Sequence, residues 1–308
     1  MDRLKQLWKE QLEFNNNFFN NKKMTIKEKQ AKMKDMVLYL QSEIIEALNE
    51  INFKEHRKSD KVVRIDKLKE ELIDIQKYLI GLFQLWGVTD EEFFDEFKRK
   101  SLVVNQRYKQ EMQLSLIKDE NVIGVDLDDI LCCWVEGFLA FISRKTKKDL
   151  SNLTFTNLND SLIEIIGIEK LKQLKHEFRL SDEKKKLDKC YFASEFTNKL
   201  KAKGFQIIIL SSRPVSDYPK LYADTLQWLK KNKICYDAVF FSENKEEHII
   251  KEFPKLRFFV EDNVINANKI ARKNYKVFLI NKHYNVNELT HKNVIRVDDL
   301  KEILELIK

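Results

Sequence analysis

A chain of 308 residues, 43% hydrophobic and 34% charged, is long enough to bury a core in each of two ordinary domains; its six Gly and three Pro exclude collagen-like and low-complexity disordered classes. The formal net charge of +7 comes from 56 basic against 49 acidic residues. They are interspersed, as in Lys27-Glu28-Lys29 and Lys245-Glu246-Glu247, so there is no basic stripe to mark a nucleic-acid surface, and none is expected.

Residues 1–110 read as all-α. Apolar residues recur at spacings of three and four: Leu4, Leu7, Trp8, Leu12, then Val37, Ile44, Ile45, Leu48, Ile51, then Ile65, Leu68, Leu72, Ile75, Leu79. The longest apolar stretch, Tyr78 to Val88, is too short to span a bilayer. A further helix is predicted to start at Thr89, an N-cap followed by Asp90, Glu91 and Glu92. A polar connector is expected at 109–121.

Residues 120–308 change period. Short apolar runs at Val122–Val125, Phe205–Leu210, Ala238–Phe241, Phe258–Val260, Lys276–Ile280 and Val294–Val297 alternate with amphipathic segments such as Leu221–Lys231 and Val264–Asn274. Buried strands alternating with helices predict an α/β fold with a Rossmann-type parallel sheet. The mostly helical gap at about 136–200 reads as an inserted cap. Trp8, Trp86, Trp134 and Trp228, together with Cys132 and Cys133, read as core; five scattered His give no zinc pattern. Four Cys without a CxxC pair read as reduced thiols, and with no apolar signal core at the N-terminus the expected compartment is the cytoplasm.

The first run leads into Asp126-Leu127-Asp128-Asp129, placing two carboxylates at i and i+2 beyond a strand end, where ligands of open α/β sheets bind. A divalent cation would relieve their repulsion; an acidic loop after a strand is the alternative. Three further strand ends carry Ser211-Ser212-Arg213-Pro214, Lys245, and Glu261-Asp262-Asn263. A hydroxyl, an ammonium and a second acidic cluster are what phosphoryl transfer requires around a nucleophile. This four-part order resembles the haloacid dehalogenase superfamily of phosphohydrolases. The resemblance implies Asp126 as nucleophile, Asp128 as general acid and base, Ser211 and Lys245 on the phosphate with Arg213 beside the substrate, and Mg²⁺ held by Asp126, Asp128, Asp262 and Glu261. With Asn281-Lys282-His283-Tyr284-Asn285, the pattern is similar to the 5′-nucleotidase branch; Asp129 stands where glycine is frequent in the family.

In the helical half, Glu43 and Glu46 are spaced i, i+3, as are Glu71 and Asp74, so each pair shares a helix face. Spacing alone fits a solvated face as well as a metal site. The surrounding segments, Ser42-Glu43-Ile44-Ile45-Glu46 and Glu70-Glu71-Leu72-Ile73-Asp74, resemble the ExxE…ExxD motif of all-α nucleoside triphosphate pyrophosphohydrolases, the group of dimeric dUTPases and MazG proteins. That resemblance implies Mg²⁺ on Glu43, Glu46, Glu71 and Asp74, base contacts from Gln11 and Asn15, and triphosphate contacts from Lys100, Asn105 and Arg107. Ser42, and Glu55-His56 after Lys54, depart from the group's usual residues.

Together the two halves read as a bifunctional, Mg²⁺-dependent nucleotide hydrolase. The first half would convert a (d)NTP, dUTP favoured, to the monophosphate and pyrophosphate; the second would remove the last phosphate. A homo-oligomer, at least a dimer, is expected, with nucleotides as the small-molecule partners. The competing readings are a phosphatase carrying a non-catalytic helical dimerisation or nucleotide-sensing module, and a sugar phosphatase with a structural helical half.

Overall fold

A computed structural model describes residues 2–51, 63–118, 120–151 and 153–307; Lys54, Glu55 and His56 lie outside the described residues. The chain divides into two compact units, Met1–Ser101 and Leu102–Lys308.

The described part of the first unit is helical: α1 (Arg3–Asn15), α2 (Ile26–Asn49), α3 (Ile65–Leu85) and the start of α4 (Asp90–Leu116). Side chains set the helix starts. Thr25 and Glu28 form a reciprocal capping box on α2, and Thr89 and Glu92 do the same before α4. Phe19, Met36 and Leu85 form a buried cluster, and Trp8 packs against Phe83 and Phe93. Trp86, expected in the core, is 41% exposed instead; it caps the C-terminus of α3, where the helix no longer presents a buried face.

The second unit begins inside α4, because the expected connector is helical as far as Leu116. Its glutamines are structural. Gln106 Nε2 donates to Pro219 O at 2.9 Å, and Gln113 Oε1 accepts Val239 N–H at 3.0 Å. The strands are β1 (Val122–Val125), β2 (Gln206–Ser211), β3 (Ala238–Phe241), β4 (Phe259–Glu261), β5 (Val277–Ile280) and β6 (Val294–Val297). All pair in parallel, in the order β3-β2-β1-β4-β5-β6. Near-continuous burial of β1, β2 and β5 accounts for their unalternating Val, Ile and Leu. The order reverses beside β1, and the crevice at such a switch point, beyond the carboxyl ends of the strands, is where this architecture receives ligands.

Between β1 and β2 lie α5 (Trp134–Thr146), α6 (Leu158–Ile166), α7 (Ile168–Leu180), α8 (Glu183–Lys186) and α9 (Ala193–Ala202). Of the stretch expected as a cap, 136–200, helix α9 buries Ala193, Phe196 and Leu200 in a core cluster shared with the strands. The helices α10 (Lys220–Lys231), α11 (Lys245–Glu252), α12 (Val264–Arg272) and α13 (Leu300–Leu306) complete the unit. Among the described residues, no helix is long and apolar enough to cross a membrane.

Candidate active site

Strand β1 ends at Val125, and the next peptide N–H, that of Asp126, donates to Val260 O of β4 at 2.9 Å, fixing Asp126 at the switch point. Its Oδ1 accepts Leu127 N–H at 2.7 Å, while Oδ2 lies 2.8 Å from Lys245 Nζ. Gly124 makes this approach possible: a Cβ there would lie 2.3 Å from Phe259 Cδ2, and the Phe259 ring sits 5.6 Å from Lys245 Nζ.

Lys245 opens α11 and is 2% exposed. It also donates to Glu261 Oε2 at 3.0 Å, and Glu261 Oε1 accepts from Asn266 Nδ2 at 2.8 Å. Both oxygens of Glu261 are therefore engaged, one by Lys245 and the other by Asn266. Burial alone would lower the Lys245 ammonium's pKa, but Asp126 and Glu261 outweigh it and keep the group charged. Carboxylate oxygens of Asp126, Glu261 and Asp262 lie within 4.8 Å of one another. Burial, then repulsion from Asp126, pushes Asp262 up to about 6, and burial raises Asp126 against the pull of Lys245. An all-carboxylate set short of protons suits a hard divalent cation with oxygen ligands, and Mg²⁺ fits. Asp262 is braced from behind: Tyr284 Oη donates to its Oδ2 at 2.6 Å and Asn285 Nδ2 to its backbone O at 2.7 Å.

On the other side of Asp126, Arg213, expected beside substrate, lines the same cavity and also binds Asp128, with Nε 3.1 Å from Oδ2 and Nη2 2.5 Å from Oδ1, and donates to Thr225 Oγ1. Arg213 is 4% exposed, and a buried guanidinium needs a carboxylate before a transient ligand. Burial would raise Asp128, but Arg213, then Lys184, hold it well below the usual carboxylate range. The Asp128 carboxyl is thus ionised in this arrangement, and its oxygens face Arg213 and Cys132 Sγ rather than the acidic cluster. Ser211 is buried, and its Oγ accepts Arg213 N–H at 3.3 Å; the neighbouring Ser212 lines the cavity. Asp129 has φ +60°, accepts Val135 N–H at 2.9 Å, and is raised by burial and then by Asp262.

These groups open into a cavity of about 810 Å³, walled on one side by the strand ends and on the other by cap residues including Trp134, Phe155 and Phe178. Trp134, expected in the core, stacks on Phe138 and faces this space. Cys132 is buried beside Asp128, whereas Cys133 is only half buried, 3.3 Å from Cys190 Sγ.

In the first unit, ligand oxygens of Glu43, Glu46 and Glu71 also converge within 4.8 Å, on half-buried to exposed faces of α2 and α3. Asp74 is near enough to raise Glu43, after burial and Glu46, but its carboxylate lies 3.4 Å from Lys77 Nζ. Gln11 and Asn15 are not open to a base. They are buried in a chain that runs from Gln11 Nε2 to Asn15 Oδ1 (3.1 Å), from Asn15 Nδ2 to Gln84 Oε1 (2.8 Å) and from Gln84 Nε2 to Trp8 O (2.8 Å), which satisfies interior amides. Lys100 is exposed on α4 in this unit; Asn105 and Arg107 are exposed on the part of α4 that belongs to the second unit.

No family model and no curated protein matches the chain. Solved structures similar to it include the following three. A predicted phosphoglycolate phosphatase from Haemophilus somnus shares 17% identity at a TM-score of 0.45, over 62% of this chain and 100% of its own. A predicted phosphatase from Clostridium acetobutylicum shares 19% at 0.44, over 60% and 98%. A haloacid dehalogenase-like hydrolase from Streptococcus pneumoniae shares 11% at 0.44, over 62% and 100%.

Among the cavity residues that escape sequence reading are Lys184, Lys175 and Arg179, and the contact of Tyr284 with Asp262 is not visible there either. Lys184 sits in the run Lys184-Lys185-Lys186, which looks like a solvated charge run, yet it alone of the three is buried.

Proposed function

We propose that the second unit is a Mg²⁺-dependent phosphomonoester hydrolase of haloacid dehalogenase type, acting on a nucleoside monophosphate. The observation that supports this most is the convergence of Asp126, Lys245 and Asp262 at the switch point of a parallel sheet. In the first step an Asp126 oxygen attacks phosphorus, the phosphorus–oxygen ester bond breaks, and the nucleoside oxygen leaves, taking a proton from solvent water that is replaced when Asp128 gives up the proton it gains in the second step. In the second, water attacks the phosphoaspartyl group, regenerating Asp126 and releasing orthophosphate, with the proton passing to Asp128, which Arg213 keeps ionised. Lys245 steadies the non-bridging oxygens while Glu261 and Phe259 fix its position. Asp126 and Asp262 would hold Mg²⁺, which when bound offsets phosphate charge. Trp134 and Phe155 offer apolar faces for a base. Phosphate release from dUMP and other nucleoside monophosphates tests the reading. Asp126→Asn should lower it at least about 10³-fold, in line with loss of a nucleophile; an unchanged rate sinks the reading.

A second activity is favoured by the convergence of Glu43, Glu46 and Glu71. The first unit would bind Mg²⁺ there and hydrolyse a (d)NTP such as dUTP to the monophosphate and pyrophosphate, supplying the second unit. Exposed Ile44, Ile45, Leu72 and Ile73, beside the acids on α2 and α3, support a homo-oligomer through these helices, and the cysteine pattern supports a cytoplasmic setting. With dUTP and Mg²⁺, Glu43→Gln should abolish pyrophosphate release while phosphate release from dUMP persists. Absence of pyrophosphate from the wild type under every divalent metal would leave the helical unit a sensing or dimerising module.

A further inference from the structure

Apart from the ion pairs at the strand ends, the side of the cavity formed by α7 and α8 carries cations of its own. Lys245 is matched by Asp126 and Glu261, and Arg213 by Asp128. Three other cations line the cavity, all from the cap: Lys175 and Arg179, one turn apart on α7, and Lys184 on α8. Lys184 is 4% exposed, and its nearest carboxylate oxygen, on Asp128, is 4.0 Å away, beyond hydrogen-bond reach and already bound by Arg213. Its other neighbours are the faces of Trp134 and Phe178, at 5.8 and 5.9 Å. Lys175 donates only to the neutral Asn159 Oδ1, at 2.7 Å, and Arg179 lies over the Tyr218 ring at 5.1 Å. Arg179 is near enough to repel both lysines, and all three line the same cavity. A buried ammonium whose nearest carboxylate is already held closely by another cation is costly, and surrounding apolar rings make it more so. An anionic ligand group would remove that cost.

We propose that Lys184, Arg179 and Lys175 form a second anion subsite, so that the preferred substrate carries an anionic group, a phosphate or carboxylate, besides the phosphate transferred at Asp126. This deepens the hydrolase reading and rests on it: the strand ends hold the reacting phosphate, and the cap reads the far end of the molecule. A nucleoside bearing two separate phosphates has this form, its base lying against Trp134 or Phe155.

The probes are deoxyadenosine 5′-monophosphate and deoxyadenosine 3′,5′-bisphosphate, offered to the full chain with Mg²⁺. The wild type should favour the bisphosphate at least tenfold in kcat/KM, and raised salt should reduce that preference. Lys184→Met should bring the ratio to near one, Arg179→Met should reduce it, and Lys184→Arg should restore most of it. Arg179 is only partly buried, so its variant keeps the test sound if Lys184→Met unfolds. A ratio near one in the wild type, or one unmoved by Arg179→Met and Lys184→Met, overturns the subsite. Calorimetric binding of both probes to the Asp126→Asn chain separates the two readings. Tighter bisphosphate binding lost in Asp126→Asn/Lys184→Met supports the subsite even where no phosphate is released, a result that would sink the hydrolase reading alone.

Discussion

Replacing Asp262 by Asn should stabilise the metal-free protein at neutral pH while removing its response to Mg²⁺. Burial and Asp126 raise the Asp262 carboxyl from 3.8 to about 6 in the folded chain. The folded state therefore holds this proton more tightly than the unfolded state. Stability is retained below about pH 4 and lost as pH rises through the window from 4 to 6, because the unfolded chain releases the proton first. A shift of about two units amounts to roughly 3 kcal/mol above pH 7, and to less than about 1 kcal/mol at pH 4. Asn keeps an oxygen to accept the Tyr284 Oη–H bond but carries no charge, so it escapes the penalty. Urea unfolding in EDTA at pH 4 and pH 8 should show the variant's advantage growing across that range to about 3 kcal/mol. With Mg²⁺ at 100 times its dissociation constant, the wild type should regain about 2.7 kcal/mol and the variant little. Equal stability at pH 8 in EDTA, or equal stabilisation of both proteins by Mg²⁺, would refute the account of a buried, cation-seeking carboxylate.

Gly124→Ala would drive a methyl to 2.3 Å from the Phe259 ring, so the ring must move, taking with it the support under Lys245. Stability should fall by about 1–3 kcal/mol, with a drop in kcat for phosphate release, measured by thermal unfolding and steady-state assay. Tyr284→Phe removes the 2.6 Å bond to Asp262 but keeps the stacking on Phe155. The Mg²⁺ concentration for half-maximal activity should rise about 10-fold or more, as on losing an outer partner of a ligand. An unchanged Mg²⁺ requirement would show that Tyr284 does not orient Asp262.

The sheet was legible because each parallel strand is a short apolar run stopped by the polar residues it presents at its carboxyl end; Val122–Val125, Ala238–Phe241 and Val294–Val297 have the boundaries read from sequence. The convergence of Asp126, Lys245 and Asp262 follows from that regularity, since each sits just past a strand and the sheet brings those ends together. What was not legible depends on contacts distant in sequence. Arg213 and Asp128 are 85 residues apart, and nothing local says that the guanidinium binds the carboxylate. The polar stretch 109–121 reads as a connector, although the chain there is helical as far as Leu116 and Gln113 serves the sheet through Val239 N–H. The same holds for Gln11 and Asn15, for which the resemblance to dimeric dUTPases implies base contacts but whose partner, Gln84, lies on α3.

The two acidic clusters differ in how far the chain neutralises them itself. In the second unit, Asp126 and Glu261 share Lys245, and Asp128 has Arg213, all in the interior, where leaving a charge without its partner costs several kcal/mol. That site is largely assembled before any cation arrives, and Asp262 carries the residual demand. In the first unit, Glu43, Glu46 and Glu71 sit on half-exposed helix faces without a salt bridge among the described residues, and water screens their repulsion. Mg²⁺ removal should therefore change the folding stability of the second unit with pH while barely moving that of the first. A metal bound by the first unit would draw its affinity chiefly from the nucleotide phosphates that share it, not from relief of buried charge.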